Sequence, residues 1–169
     1  MTMYNRGMLT RALCCLAALT LLSGCVRSRD VQKDLKILEV RTGWYDAGIV
    51  EGKNKLVPSI SLKIENVSPD EISNVQVNAI FRRTGEQEAW GEHFVRAIDS
   101  TGLKAGTSTG DIVLRSTLGY TSETSRAEML RNSQFVDARV EIFGKHGSRT
   151  WAKMGEYPID GKLLLATSQ

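Results

Sequence analysis

The stretch Val57-Pro58-Ser59-Ile60-Ser61-Leu62-Lys63-Ile64-Glu65-Asn66-Val67 alternates apolar and polar residues with a period of two. Successive side chains of an extended chain point to opposite faces, so Ile60, Leu62 and Ile64 share one face and Ser59, Ser61, Lys63 and Glu65 the other. That pattern predicts a half-buried β-strand. Asn66 to Asp70 (NVSPD) then reads as a turn, because Pro69 cannot donate to a strand ladder.

Working outward, the same period recurs on both sides. Upstream, Leu35 to Thr42 forms a first strand with Leu35, Ile37 and Glu39 on one face and Lys36, Leu38 and Val40 on the other. Gly43 to Asn54 holds three glycines around Trp44-Tyr45 and reads as a loop or loose hairpin. Downstream, Ile72 to Arg83 sets Val75, Val77, Ala79 and Phe81 against Gln76, Asn78, Ile80 and Arg82. Thr84 to Gln87 turns the chain into Glu88 to Ile98, where either Trp90 and Phe94 or else His93, Val95 and Ala97 face the core. Asp99 to Gly110 is loop-like and precedes the short apolar strand Ile112-Val113-Leu114.

Thr117 to Thr124 is a second polar loop. Ser125 followed three residues later by Glu128, then Met129 and Leu130, has the form of a capping box and predicts one brief helix. Phe135 to Phe143 is a strand whose inward set is Val136, Ala138, Val140 and Ile142, and Arg149 to Tyr157 is the last. Pro158 and Gly161 end it, leaving residues 161–169 as a loose tail, with docking of Leu163 to Leu165 as the alternative. Seven short strands, one helix and no β-α-β pattern point to an all-β, mainly antiparallel sandwich over residues 35–160.

The N-terminus has a different character. Arg6 and Arg11 precede an apolar run from Ala12 to Leu22, about half the length that a membrane-spanning helix needs, roughly 20 residues. Small residues then lead into a cysteine, the layout of a secretory signal. Leu21-Leu22-Ser23-Gly24-Cys25 resembles the lipobox of bacterial lipoproteins. That resemblance implies cleavage after a signal peptide of residues 1–24 and a diacylglycerol on the Cys25 thiol. It also implies a domain held on a membrane by N-terminal lipid. Val26 in place of an aspartate implies, by analogy with lipoprotein sorting, the outer membrane with the domain facing the periplasm. The polar segment 25–34 is expected to be a flexible tether, with docking on the domain as the alternative.

Charge and cysteine count exclude several classes. The chain carries 22 basic and 19 acidic residues, and without Arg6 and Arg11 the excess of positive charge is one. Nothing in that balance suggests a nucleic-acid partner. Cys14 and Cys15 lie in the signal and Cys25 is the lipid acceptor, so the domain is expected to have neither disulfide nor free thiol. Its stability must come from a packed core.

Two phrases carry a family resemblance. Ile64-Glu65-Asn66-Val67-Ser68, followed by Ile72 and Val75-Gln76-Val77-Asn78-Ala79-Ile80-Phe81, is similar to the Ig-like modules called FxLYD domains and their lipoprotein relatives. Leu103-Lys104-Ala105-Gly106 fits the same plan. The resemblance spans residues 57–115 and lacks the Phe-x-Leu-Tyr-Asp signature itself. It implies an Ig-like sandwich and a role in interactions.

No pattern for catalysis or cofactor binding stands out. The two histidines, His93 and His146, fall in different elements without metal-ligand spacing, and no nucleophile elbow, phosphate loop or calcium loop is present. No catalytic residue, metal or cofactor is therefore expected. Glu86, Glu88 and Glu92 cluster at a hairpin and suit a soluble strand edge better than a cleft. Trp44, Tyr45 and Tyr120 in polar or glycine-flanked loops are the candidate binding residues, since binding groups concentrate on loops of rigid scaffolds. The competing reading has Trp44 closing the core and Tyr120 making a structural hydrogen bond. The expectation is a non-catalytic, lipid-anchored module that engages an envelope protein, with a strand-edge contact as one route. A glycan- or peptidoglycan-binding lipoprotein is the alternative.

Overall fold

The computed structural model describes residues 29–164. One helical turn, Val31–Asp34 (α1), leads into Leu35–Val50 (β1) and Lys53–Asn66 (β2), which pair as a long antiparallel hairpin. Val75–Arg83 (β3), Gly91–Ile98 (β4), Ile112–Arg115 (β5) and Tyr120–Ser122 (β6) follow. Arg126–Arg131 (α2) precedes Ala138–His146 (β7), Ala152–Pro158 (β8) and Leu163–Leu164 (β9). One sheet has the order β5-β2-β1-β9, with β6 also paired to β2 beyond the end of β5, and the other has the order β4-β3-β7-β8. All pairings are antiparallel except that of β9 with β1.

The chain crosses between sheets after β2, β4, β6 and β8, so each sheet is assembled from strands distant in sequence. This is an Ig-like sandwich. Its core lies between the layers. Leu56, Ile60, Leu62 and Ile64 of β2 face Val75, Val77, Ala79 and Phe81 of β3, all fully buried. Burial of each large aliphatic or aromatic side chain contributes about 1.5–3 kcal/mol. On β4 the inward set is His93, Val95 and Ala97, while Phe94 remains 54% exposed.

All seven expected strands are present, and the differences lie at the margins. The expected loop at residues 43–54 is strand on both sides of a tight turn at Glu51-Gly52. Along β1 the predicted alternation fails at Glu39, which has a φ of 51°, where the register jumps from Leu38 opposite Lys63 to Arg41 opposite Ser61. This β-bulge adds one residue and reverses the parity from Val40 as far as Asp46, beyond which the register shifts a second time before Ile49. Leu35 and Ile37 pack inward before it, and Val40, Thr42 and Trp44 after it. Similarly, β7 begins at Ala138, leaving Val136 39% exposed where an inward position was expected.

Both ends of the domain extend further than the expected 35–160. The tether was expected to run to Asp34, yet Val31 is 4% exposed and packs beside Gly144, where no side chain intervenes. Asp30 caps α1 by accepting from the Gln32 amide at 3.1 Å, and Arg29 pairs with Asp70 at 2.8 Å. The tail expected to be loose pairs through Leu163 and Leu164 with Trp44 and Tyr45. Gly43 permits this approach, since a β-carbon there would lie 2.8 Å from the Lys162 carbonyl oxygen. Residues 1–28 and 165–169, including Cys25 and the signal, lie outside the described residues.

Asn66 closes the end of the sandwich nearest Arg29. It is fully buried, and its amide donates to the carbonyls of Asp70 and Leu103, both at 2.8 Å. Its Oδ1 accepts from the Ser68 amide at 3.0 Å and the Ser68 hydroxyl at 2.7 Å. One side chain thus satisfies two loops, the role the Asn-Val-Ser turn foreshadowed. Asn66→Ala strands buried backbone carbonyls and should destabilise the domain by about 2–3 kcal/mol, read as a lowered urea midpoint with unchanged slope.

On the outer face of the second sheet, Glu141 accepts from Lys153 at 2.7 Å and Arg82 at 2.8 Å, and Glu156 from Lys153 at 2.6 Å and Arg139 at 2.8 Å. The Lys153 ammonium first, and then the Arg82 guanidinium, hold the Glu141 carboxyl below its ordinary value of 4.5. A carboxyl whose folded pKa is depressed stabilises the fold fully above its unfolded pKa and loses that contribution as pH falls through the folded one. The urea midpoint should therefore drop as pH falls below about 4.5, and Glu141→Gln should flatten part of that drop.

Candidate functional site

The strongest concentration of side chains with recognition potential lies at the end of the sandwich opposite Arg29. The β1 bulge turns Trp44 inward, where it is fully buried. Around it stand Phe135 at 4.4 Å between ring centroids, edge-on at 64°, with Tyr120 at 5.8 Å and Trp90 at 6.1 Å. Tyr120 links the others, 5.0 Å from Trp90 and 4.6 Å from Phe135. Such aromatic pairs contribute about 0.5–1.5 kcal/mol beyond their area. Gly119 lets β6 reach this position, since a β-carbon there would fall 2.0 Å from the Leu56 carbonyl oxygen.

Beside the cluster opens a cleft of about 280 Å³, lined by Tyr120, Thr121, Ser122, Met129, Asn132, Gln134 and Phe135. Its back wall is Met129 of α2, 3% exposed. The helix is held by the predicted capping box: the Glu128 amide donates to Ser125 Oγ at 3.3 Å and the Ser125 amide to Glu128 Oε2 at 2.9 Å. Hydrogen bonds from the Ser125 hydroxyl, then its amide, hold the Glu128 carboxyl below its ordinary range. An ion pair of Arg126 with Asp46 ties α2 back to β1, and that guanidinium lowers the Asp46 pKa. Tyr120 Oη accepts from the Val136 amide at 3.2 Å, which fixes the rim. The cleft therefore has an aromatic floor and a rim of carboxamides and hydroxyls. That arrangement suits a ligand with both an apolar face and hydrogen-bonding groups.

The three candidate aromatics do not form one site. Trp44 and Tyr120 meet in the cluster, but Trp44 is sealed inside and offers no face to a ligand. Tyr45 points to the other face of β1, where the Arg115 guanidinium stacks 3.6 Å from its ring centroid. Tyr120 is the one that borders the cleft, and it also makes the structural hydrogen bond that the competing reading required. Trp90, Phe135, Asn132 and Gln134 were not among the candidates. Trp90 precedes β4 instead of lying within a strand, and Phe135 lies ahead of β7, so neither follows strand alternation.

Both histidines have structural contacts. His93 Nδ1 accepts from the Arg115 amide at 3.0 Å, joining the edges of the two sheets. His146 Nδ1 faces the Arg29 amide at 3.5 Å, and burial, followed by the Arg29 charge, lowers its pKa. Among the described residues, no three His, Cys, Asp or Glu side chains are placed to hold a metal ion. A second cleft, of about 230 Å³, lies between β1 and β8 and is lined by Gln32, Leu35, Ile37, Lys153 and Met154.

No family model and no curated protein matches the chain. Among solved structures, the X-ray structure of Northeast Structural Genomics Consortium target SoR45 is similar over 83% of this chain and 96% of its own, with 12% identity and a TM-score of 0.43.

Because Trp44 supports the cleft from within, Trp44→Ala should cost about 3–5 kcal/mol of stability, measured by urea unfolding. Gln134→Ala, at an exposed rim position, should leave the midpoint unchanged to within about 0.5 kcal/mol.

Proposed function

We propose that the chain is a non-catalytic, lipid-anchored binding module of the bacterial cell envelope. It is held through Cys25 on the outer membrane, with the domain in the periplasm, and engages a protein partner at the end away from the lipid. The observation that supports this most is how Arg29, the first described residue, is held. Arg29 is already fixed to Asp70, leaving Cys25 four residues away, a reach of at most about 14 Å. The lipid therefore lies at the Arg29 end. The aromatic cluster and its cleft occupy the opposite end, since Tyr120 pairs with Leu56, ten residues or about 33 Å along β2 from Asn66. At that far end the β1–β2 hairpin tip presents Ile49 at 71% exposure and Val50 at 40%, and Leu118 and Val136 are also exposed. Apolar groups on loops remote from the anchor suit a partner protein.

The glycan reading is favoured by one specific observation, the carboxamide and hydroxyl rim of the cleft over Tyr120 and Phe135. Sugars offer hydroxyls to such a rim and C–H faces to such a floor. Trp44 takes no part in it.

Flotation of membranes from cells making the chain should place it with the lipid, and mass spectrometry should find acyl mass on Cys25. Cys25→Ser should move it to the soluble fraction, and unchanged partitioning of that variant would rule the anchor out. A photo-cross-linker at position 49 should yield one discrete protein adduct, absent when the probe is moved to the Arg29 end. Sedimentation with peptidoglycan that is lost in Gln134→Ala would instead support the glycan alternative.

A further inference from the structure

The outer face of the second sheet divides into two halves. One is the ion-paired ladder of Arg82, Arg139, Glu141, Lys153 and Glu156. The other is aromatic. Phe94 on the edge strand β4 is 54% exposed, and Trp151, just before the opposite edge strand β8, is 40% exposed. Their rings meet edge-on over the intervening strands, 6.1 Å apart at 86°. Phe143 shares this face, since Asn78 of β3 lies between Phe94 and Phe143 in register. Isolated exposed aromatics are ordinary, but an exposed pair brought together across a whole sheet forms a patch.

The patch has a basic border. Lys145 Nζ sits 4.8 Å from the Trp151 ring centroid, Arg96 is exposed two residues along β4 from Phe94, and Arg149 is exposed in the turn before Trp151. Its position relative to Arg29 decides what covers it. The Arg29 amide faces His146 Nδ1 at 3.5 Å, and His146 follows Lys145 and opens the turn that carries Arg149 and Trp151. On the anchored reading, residues 25–28 and the lipid on Cys25 therefore join the domain beside the patch.

We infer that this end of the second sheet rests on the bilayer surface, with Trp151 and Phe94 at the headgroup level and Lys145, Arg96 and Arg149 facing anionic lipid. The inference deepens the lipid-anchored reading and rests on it. Tryptophan partitions to the membrane interface, and basic residues near it are drawn to anionic headgroups. An acyl chain and an amphipathic protein face on the same side act together as two membrane signals. The leash also argues against a globular occupant. At about 14 Å it is shorter than the diameter of even a 100-residue domain, whose radius of gyration alone is about 13 Å.

The test uses the acylated full chain in vesicles of phosphatidylethanolamine with phosphatidylglycerol, made with or without bromine on the acyl chains. Bromolipid should quench about a third of the tryptophan emission, because Trp151 is one of three tryptophans and Trp44 is buried in the core. Trp151→Phe, an exposed substitution with an expected unchanged urea midpoint, should abolish that quenching. Equal quenching in wild type and variant, or no quenching in either, overturns the inference. Protection of Trp151 that grows only with protein density in the membrane also overturns it and identifies a second copy as the cover. Flotation and Cys25 acyl mass are read on the same samples. A chain that is lipidated and floats while Trp151 stays unquenched sinks this inference alone, whereas a chain without lipid sinks the anchored reading and this inference with it.

Discussion

The parity of β1 governs the rest of the domain. In a strand, one residue more or less exchanges the two faces, and β1 makes that exchange at Glu39. Ahead of the bulge the odd-numbered residues pack inward, and after it the even-numbered ones do, which places Trp44 in the interior and Tyr45 outside. The backbone cost of a left-handed Glu39 is small beside the burial of an indole. Without the exchange, Trp90, Tyr120 and Phe135 would close over an empty site, and the wall from which α2 and its cleft are built would be missing.

The two ends of the sandwich are held by different physics. The end that carries Arg29 is closed by directional polar bonds: Asn66 satisfies two loops at once, and α1 adds a capped turn with one buried valine. The far end is closed by aromatic packing of Trp44, Trp90, Tyr120 and Phe135, whose rings contact edge-on or tilted. The β4-β3-β7-β8 face repeats the contrast, with self-compensated charge on one half and exposed aromatic surface on the other.

Much of the fold is legible from alternation alone. β2, β3 and β7 announce their faces because their inward residues are uniformly apolar, and the capping box at Ser125 and Glu128 is a local device that needs no tertiary context. β6 and β9 escape this reading because three and two residues carry too little pattern, and they exist only because β2 and β1 offer free edges. Val31 reads as part of a polar tether for the same reason: a lone apolar residue has no periodicity, and its burial is decided by the core it packs against.

What the residues determined unaided was the class of the domain, the faces of β2 and β3, the capped helix α2 and the lipobox-like resemblance at Cys25, all of which are local properties of short windows. What only the tertiary structure decided was which aromatics meet. Trp44, Trp90, Tyr120 and Phe135 come from four separate segments, and a bulge, a glycine approach and two sheet crossings bring them together. Contacts of that kind depend on distance through space, and the pattern along the chain does not encode them.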